Sequence, residues 1–178
     1  MRLDDLPGEL LMWVLIVSEL LVFAAGITVM AALRLRDPAG FAEAQALLDS
    51  RLAALNTVIL VSSGYAAARA ERAAARGRKR AARLGLGLAA LGGLGFLALK
   101  AAEYAGDWER GISMEASPFF TFYYLLTGFH AAHVIAGVAL LALVAWRARS
   151  DAVQAGAMFW HMVDLVWVLI LPPIYLLG

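Results

Sequence analysis

The sequence predicts an all-α membrane protein, with residues 1–178 forming one bundle of five transmembrane helices. Hydrophobic residues make up 62% and charged residues only 16% of the 178 residues, and the mean hydropathy is +0.75. Those values lie well beyond the balance of a soluble globular domain. The apolar residues fall into five runs of roughly 20 residues or more, the length that a helix needs to cross a bilayer. Because the chain has no cysteine, disulfides, thiolate metal sites and covalent haem attachment are excluded.

The first two predicted spans are residues 10–33 and 52–70. The first contains Glu19 near its middle and follows an acidic segment, so it does not resemble a cleaved signal peptide. The second has a polar edge suited to hydrogen bonds between helices, formed by Asn56, Thr57, Ser62 and Ser63.

The third predicted span, residues 82–104, begins with a glycine-rich stretch. No strand pattern precedes it, so the glycines indicate close helix packing rather than a phosphate-binding loop. Near the outer end of this span, Lys100 and Glu103 form an i,i+3 pair, where snorkelling towards the interface makes charge less costly. The glycines are Gly85, Gly87, Gly92, Gly93 and Gly95.

The fourth predicted span is residues 118–146. Ser117 is a suitable N-cap, and Pro118 suits the first turn of a helix. His130 and His133 are three residues apart, so both side chains are expected on one side of the helix. The aromatic residues of its outer half are expected to pack between helices and anchor the interface.

The fifth predicted span is residues 153–177. His161 and Asp164 form another i,i+3 pair in its middle. Pro172 and Pro173 are expected to kink or end the helix, since proline lacks the amide hydrogen that continues the hydrogen-bond ladder.

The distribution of charge predicts the orientation in the membrane. Residues 69–83 carry seven basic residues and one acidic residue, a net of +6, whereas residues 103–117 carry four acidic and one basic, a net of −3. The positive-inside rule therefore places 69–83 and the N-terminus in the cytoplasm and the C-terminus outside. At a membrane junction, such a basic segment is expected to contact anionic lipid and not nucleic acid.

The ionisable residues inside the spans allow three interpretations. A charged group in a span costs about 2.5–3.5 kcal/mol on insertion scales, so each one needs a partner. The favoured interpretation is structural, with each histidine bonding to a carbonyl or carboxylate of a neighbouring helix. The alternatives are a small proton channel or transporter, or an autonomous metal-binding or redox protein that uses His130, His133, His161 and Asp164. Helix rise places Glu19, His133 and Asp164 at similar depths, so they are expected to meet in one layer.

Two dense motifs resemble signatures of the haem–copper oxidase subunit III family (cytochrome c oxidase subunit 3-like). They are TGFHAAHVIAG at residues 127–137 and FWHMVDLVW at residues 159–167. The resemblance runs from Pro7 to Tyr175. Three shorter motifs also occur in the order that the family shows: Ser18-Glu19, Leu55-Asn56-Thr57 and Glu103-Tyr104. Lys100 stands where the oxidases usually have glutamine. That difference, the opening motif at residues 7–13 and the short five-span chain are more similar to the NorE branch, which is associated with bacterial nitric oxide reductase.

The resemblance implies an accessory subunit without catalytic residues, haem or copper of its own. Its partner would be the catalytic haem-containing subunit of an oxidase or nitric oxide reductase in a bacterial cytoplasmic (inner) membrane. There it would stabilise that subunit, retain phospholipid and support proton uptake in respiratory electron transport or denitrification. The lipid would lie in a cleft between the first two spans and the rest, with Glu19 as its buried carboxylate. The polar contacts that hold the bundle would be Asn56, Glu103, Tyr104, His130, His133, His161 and Asp164.

Overall fold

The computed structural model describes residues 10–147 and 149–177, and within these ranges every regular element is a helix. The predicted all-α fold is confirmed. The expectations that concern Pro7, the N-terminus and Gly178 fall outside the described residues. The elements are α1 (Leu10–Arg36), α2 (Pro38–Gln45), α3 (Ser50–Ala75), α4 (Lys79–Glu109), α5 (Pro118–Arg147), α6 (Ser150–Leu171) and a π-helical segment (Pro172–Leu176).

Helix α2 lies between the first two predicted spans, where the sequence predicted no helix. The Asp37 side chain caps it by accepting a hydrogen bond of 3.0 Å from the Gly40 amide, and Pro38 occupies its first turn. Asp49 then caps α3 by accepting from the amides of Arg51 and Leu52 at 2.9 and 3.1 Å. The eight residues of α2 are too few for a search based on spanning length to find.

Four helices are long and apolar enough to cross a membrane: α1, α4, α5, and α6 with its π-helical extension. Helix α3 passes the same test only together with α2, from which it is bent by 72°. The described chain therefore has four candidate spans, or five if the bent pair is one of them. It is a multi-pass membrane protein, and the fifth span and the orientation stay predictions.

Helices α3, α4, α5 and α6 form the packed bundle, with α3 along α4 and α6 and with α5 against α4 and α6. Helix α1 lies outside, against α5 and α6, and most of its surface is exposed. The expected cleft between the first two spans and the rest is wrong, because α3, which contains the second predicted span, packs against α4 and α6. The small and polar side of α3, with Ala67, Ala70 and Ser63 buried, packs into the bundle, whereas α1 is mostly apolar and buries only Phe23 and Met30.

The core is organised around Trp160 of α6. A Cβ atom at Gly93 would lie 2.5 Å from Trp160 Cη2, and one at Gly137 would lie 2.7 Å from Trp160 Cε3. The indole therefore fits only because α4 and α5 both have glycine beside it. Trp160 Nε1 donates to Ser63 Oγ at 2.8 Å, and Ser63 donates to the Ala89 carbonyl at 3.1 Å.

The predicted packing role of the glycine-rich stretch is confirmed at three positions. Besides Gly93, a Cβ at Gly85 would lie 2.9 Å from Ala70 Cβ, and one at Gly92 would lie 2.5 Å from Ser63 Cβ. Gly87 differs, since nothing lies within 4 Å of its Cβ position. At the other end of the fold, the α-helix α6 ends at Leu171, just before the two prolines, as the sequence predicted. The chain continues as a wider π-helical turn that places Tyr175 inside the bundle.

Candidate functional site

The largest group of buried ionisable residues lies near the C-terminal end of α4. We call Lys100, Glu103, Asp107, Tyr123 and Tyr175 the Lys100 cluster. Lys100 is 1% exposed, and its Nζ donates to Glu103 Oε2 at 3.0 Å and to Tyr175 Oη at 2.6 Å. Tyr175 Oη donates to the other carboxylate oxygen of Glu103 at 2.7 Å. The cluster thus joins α4, α5 and the C-terminal π-helical segment.

The charges of this region balance. Tyr123 Oη lies 3.0 Å from both Glu103 Oε1 and Asp107 Oδ2, which connects the two carboxylates. Arg110 pairs with Asp107 and also donates to the Leu47 carbonyl at 2.9 Å, which holds the loop after α2. Two basic and two acidic side chains neutralise each other, as buried charges require.

Four aromatic rings surround the Lys100 ammonium. Nζ lies 4.7 Å from the ring centre of Tyr123, 5.3 Å from that of Tyr175, 5.2 Å from that of Tyr104 and 5.7 Å from that of Trp167. These distances are within the range of cation–π attraction. Tyr104 is fixed in turn by a 2.6 Å hydrogen bond to Thr127 Oγ1.

The sequence predicted the pairing of Lys100 with Glu103 but not its burial. Snorkelling to the interface is wrong for Lys100, because the side chain is enclosed by α5, α6 and the π-helical turn. Of the two roles expected for the aromatic residues of this span, Tyr123 has the packing role and not the anchoring one, because it is fully buried between helices. The sequence feature that could have indicated burial is a lysine with a glutamate at i+3, together with tyrosines on other helices whose hydroxyls can bond to both charges.

Glu19 and His133 form a second pair, at the contact between α1 and α5. Glu19 Oε2 lies 3.1 Å from His133 Nε2, and His133 Nδ1 donates to the Phe129 carbonyl at 2.8 Å. Because Nδ1 already donates, the contact between Glu19 and Nε2 holds one proton, carried by either residue. The Glu19 side chain is 27% exposed and that of His133 14%, so the pair lies at the rim of the bundle.

His130 differs from its neighbour. It is fully buried, its ring centre lies 5.3 Å from those of Phe96 and Trp167, and it is 6.5 Å from that of Phe23. Within the described part of the chain, neither ring nitrogen has a hydrogen-bond partner. The expected polar contact is therefore wrong for His130, which packs as an aromatic ring.

His161 and Asp164 lie on another side of the bundle, where α6 meets α3. His161 Nδ1 is 3.7 Å from Asp164 Oδ2, and that oxygen lies so close to Gly64 that a Cβ there would be 1.9 Å away. Asp164 therefore does not join Glu19 and His133, and the expectation of a single polar layer holds for those two residues alone. Asn56 makes the predicted contact between helices, donating to the Phe96 carbonyl at 3.3 Å.

The ligand set of the metal hypothesis is not brought together. His130 is in the core, His133 pairs with Glu19 between α1 and α5, and His161 pairs with Asp164 where α6 meets α3. Among residues 10–147 and 149–177, no group of three or more histidine, aspartate or glutamate side chains is placed to hold a metal ion.

Comparison with known proteins gives a consistent result. The family described as cytochrome c oxidase subunit III matches residues 9–178. The chain is 29% identical over 171 residues to cytochrome c oxidase subunit 3 of Synechocystis sp., covering 91% of this chain and 72% of that protein. It is 34% identical over 127 residues to the Corynebacterium diphtheriae protein of the same name, covering 67% and 62%. The match to the Danio rerio protein, 35% over 132 residues, covers 70% of this chain and only 49% of the relative.

Proposed function

Because the chain belongs to the cytochrome c oxidase subunit III family, we propose that it is a non-redox accessory subunit of a membrane haem–copper oxidase. The observation that carries this proposal is the family match, which extends over residues 9–178 and thus over all five predicted spans. Its partners would be the catalytic haem-containing subunit and membrane lipid, and its place would be the bacterial cytoplasmic membrane.

The pairing and the positions of the ionisable residues support a structural role. Each charged side chain of the Lys100 cluster is paired with an opposite charge of the same chain. The cluster therefore joins helices, and its polar atoms are already used in contacts within the protein. A redox protein would need convergent ligands, and a proton channel would need a file of polar groups between the two faces. Glu19–His133, His161–Asp164 and the Lys100 cluster instead lie at three separate places.

Helix α1 supports the idea of a partner subunit. Its most apolar stretch is only 6% buried, and large side chains such as Leu11, Val14 and Leu21 are exposed. In a membrane this surface contacts either lipid or another helix. The Glu19–His133 pair lies at the contact of this helix with α5, with part of each side chain accessible. We therefore assign to this rim the retention of phospholipid and the support of proton uptake.

Nitric oxide reductase is the second candidate partner, and Lys100 is the residue that favours it. The lysine resembles the NorE branch at a position where oxidases have glutamine. It is buried at the centre of a charged network, so the difference affects the interior of the bundle rather than a variable surface.

The test is to purify the tagged full chain in mild detergent from the organism that encodes it. We expect a haem-containing catalytic subunit in equal amount, and the consumption of oxygen or of nitric oxide by that complex distinguishes the two partners. Without the chain, the complex should start at its normal rate and then lose activity during turnover. A metal or haem bound in equal amount to the chain alone would instead support the redox alternative, and proton flux through liposomes with the chain alone would support the channel.

A further inference from the structure

A groove with a volume of about 610 Å³ lies between α3 and α4 at the end of the bundle where the two helices are joined. That volume is in the range of small-molecule binding sites. Four arginines line it, Arg69 and Arg72 from α3 and Arg76 and Arg78 from the turn between α3 and α4. No carboxylate is among the lining residues. The remaining lining residues are Tyr65, Ala66, Ala73, Ala81, Leu84, Gly85 and Leu88.

Membrane topology alone does not account for this arrangement. Basic residues anywhere in the hairpin satisfy the positive-inside rule. Here, however, Arg69, Arg72 and Arg76 are spaced i, i+3 and i+7, which places them along one face of α3 and of the cap residue that follows it, next to Arg78. The other basic residues of the hairpin do not line the groove, and Arg83 instead donates to the carbonyls of Ala145 and Trp146 at the end of α5.

The groove changes from charged to apolar along its length. Arg76 and Arg78 are at the hairpin end, whereas Tyr65 and Leu88 are about 16 Å further into the bundle, from the rise of α3 between residues 65 and 76. Leu84, Leu88 and Tyr65 are each more than half exposed, so the apolar end is open to the membrane. Its floor is closed by the tight contact of Gly85 with Ala66 and Ala70.

From this polarity we infer that the α3–α4 groove binds an anionic phospholipid. The arginines would hold its phosphate, because guanidinium groups form paired hydrogen bonds with phosphate oxygens. The upper parts of its acyl chains would lie along Leu84, Leu88 and the ring of Tyr65, over which the Arg69 guanidinium sits at 6.0 Å. A free phosphate would contact only the arginines and would leave the apolar half of the groove empty. The site is separate from Glu19 and does not depend on which catalytic subunit the chain joins.

The test is to remove lipid from the full chain in detergent and to titrate it in native mass spectrometry with phosphatidylglycerol and with phosphatidylcholine of the same acyl chains. We expect one phosphatidylglycerol to bind at least about tenfold more tightly than phosphatidylcholine. Arg72→Gln with Arg76→Gln should weaken this binding about 30-fold, as expected for two basic residues at an anionic headgroup. The matched control, Lys79→Gln with Arg80→Gln, removes the same charge from the same hairpin outside the groove and should change binding less than about threefold.

Leu88→Trp is a further variant, which fills the apolar end without changing charge and should also weaken phosphatidylglycerol binding. Equal losses in the two charge variants would mean a diffuse electrostatic effect and would overturn the site, as would unaltered binding by Leu88→Trp. Equal affinity for the two lipids would show an apolar groove without headgroup recognition. Displacement of the lipid by millimolar inorganic phosphate would show a site for free anions instead. Each of these results contradicts the inference.

Discussion

Replacing Lys100 with methionine is expected to destabilise the bundle strongly, because Glu103 is then left as a buried carboxylate without its cation. Removing one partner of a buried pair typically costs about 3–5 kcal/mol. Glu103 would keep the hydroxyls of Tyr123 and Tyr175, at 3.0 and 2.7 Å, as donors. We therefore expect a cost near the lower end of that range, about 3 kcal/mol.

A double-mutant cycle gives the sharper test. Glu103→Gln alone should cost a similar amount, since it leaves Lys100 charged among aromatic rings. In the double variant, Lys100→Met with Glu103→Gln, no charge of the pair remains, and the glutamine oxygen still accepts from the tyrosines. We expect the double variant to be more stable than the sum of the single effects predicts by about 2 kcal/mol, within the range measured for residues in one network.

The assay is reversible unfolding of the purified chain in mixed micelles, with the free energy of unfolding as the measured quantity. Lys79→Met is the matched control, because Lys79 is exposed at the start of the same helix and should change stability by less than about 0.5 kcal/mol. Additive single effects, or a Lys100→Met variant as stable as the Lys79→Met control, would refute the reasoning that the buried pair is charged and coupled.

Three further outcomes are expected. Gly93→Ala should destabilise by about 1–3 kcal/mol, because its Cβ would press on Trp160, whereas Gly87→Ala on the same helix should be neutral or slightly stabilising; the same unfolding assay measures both. Glu19→Gln should be mild and Glu19→Ala should cost about 1–3 kcal/mol by leaving His133 unpaired, with activity of the assembled complex lost gradually during turnover. An immediate loss of initial rate in an assembled Glu19→Gln complex would instead mean that Glu19 transfers protons. A C-terminal reporter should be active only outside the cytoplasm, and residues 71–81 should be labelled only from the inside; the reverse pattern would contradict the orientation.

The positions of the helices could be predicted from the sequence because a bilayer imposes the same requirement along the whole length of a span. An apolar run of sufficient length is a local property, and so is an i,i+3 pair such as His161 and Asp164. Which helix packs against which is not local. The place of α3 inside the bundle depends on its fit to α4 and α6. Hydropathy, by which α3 is the weakest candidate span, does not say which helices it contacts.

Spacing alone also does not say which side of a helix faces inward. Three residues advance an α-helix by about 300°, so His130 and His133 differ in direction by about 60°. That difference is enough to place His130 in the core beside Trp167 and His133 at the rim beside Glu19. The shared face was correctly expected, but the environments differ because the edge of the packed bundle passes between the two residues.

The Lys100 cluster and the Glu19–His133 pair have different surroundings, and we infer different roles for them. Lys100 is enclosed, neutralised and held by three elements, so a change in its surroundings requires the helices to separate. Glu19 and His133 share one proton at a partly open contact between α5 and α1, a long helix of which little is buried. A lipid or a neighbouring subunit reaches this pair without unpacking the bundle. We therefore expect coupling to a catalytic subunit to depend on the Glu19 side of α1 and α5. The stability of this subunit should depend on the Lys100 cluster instead.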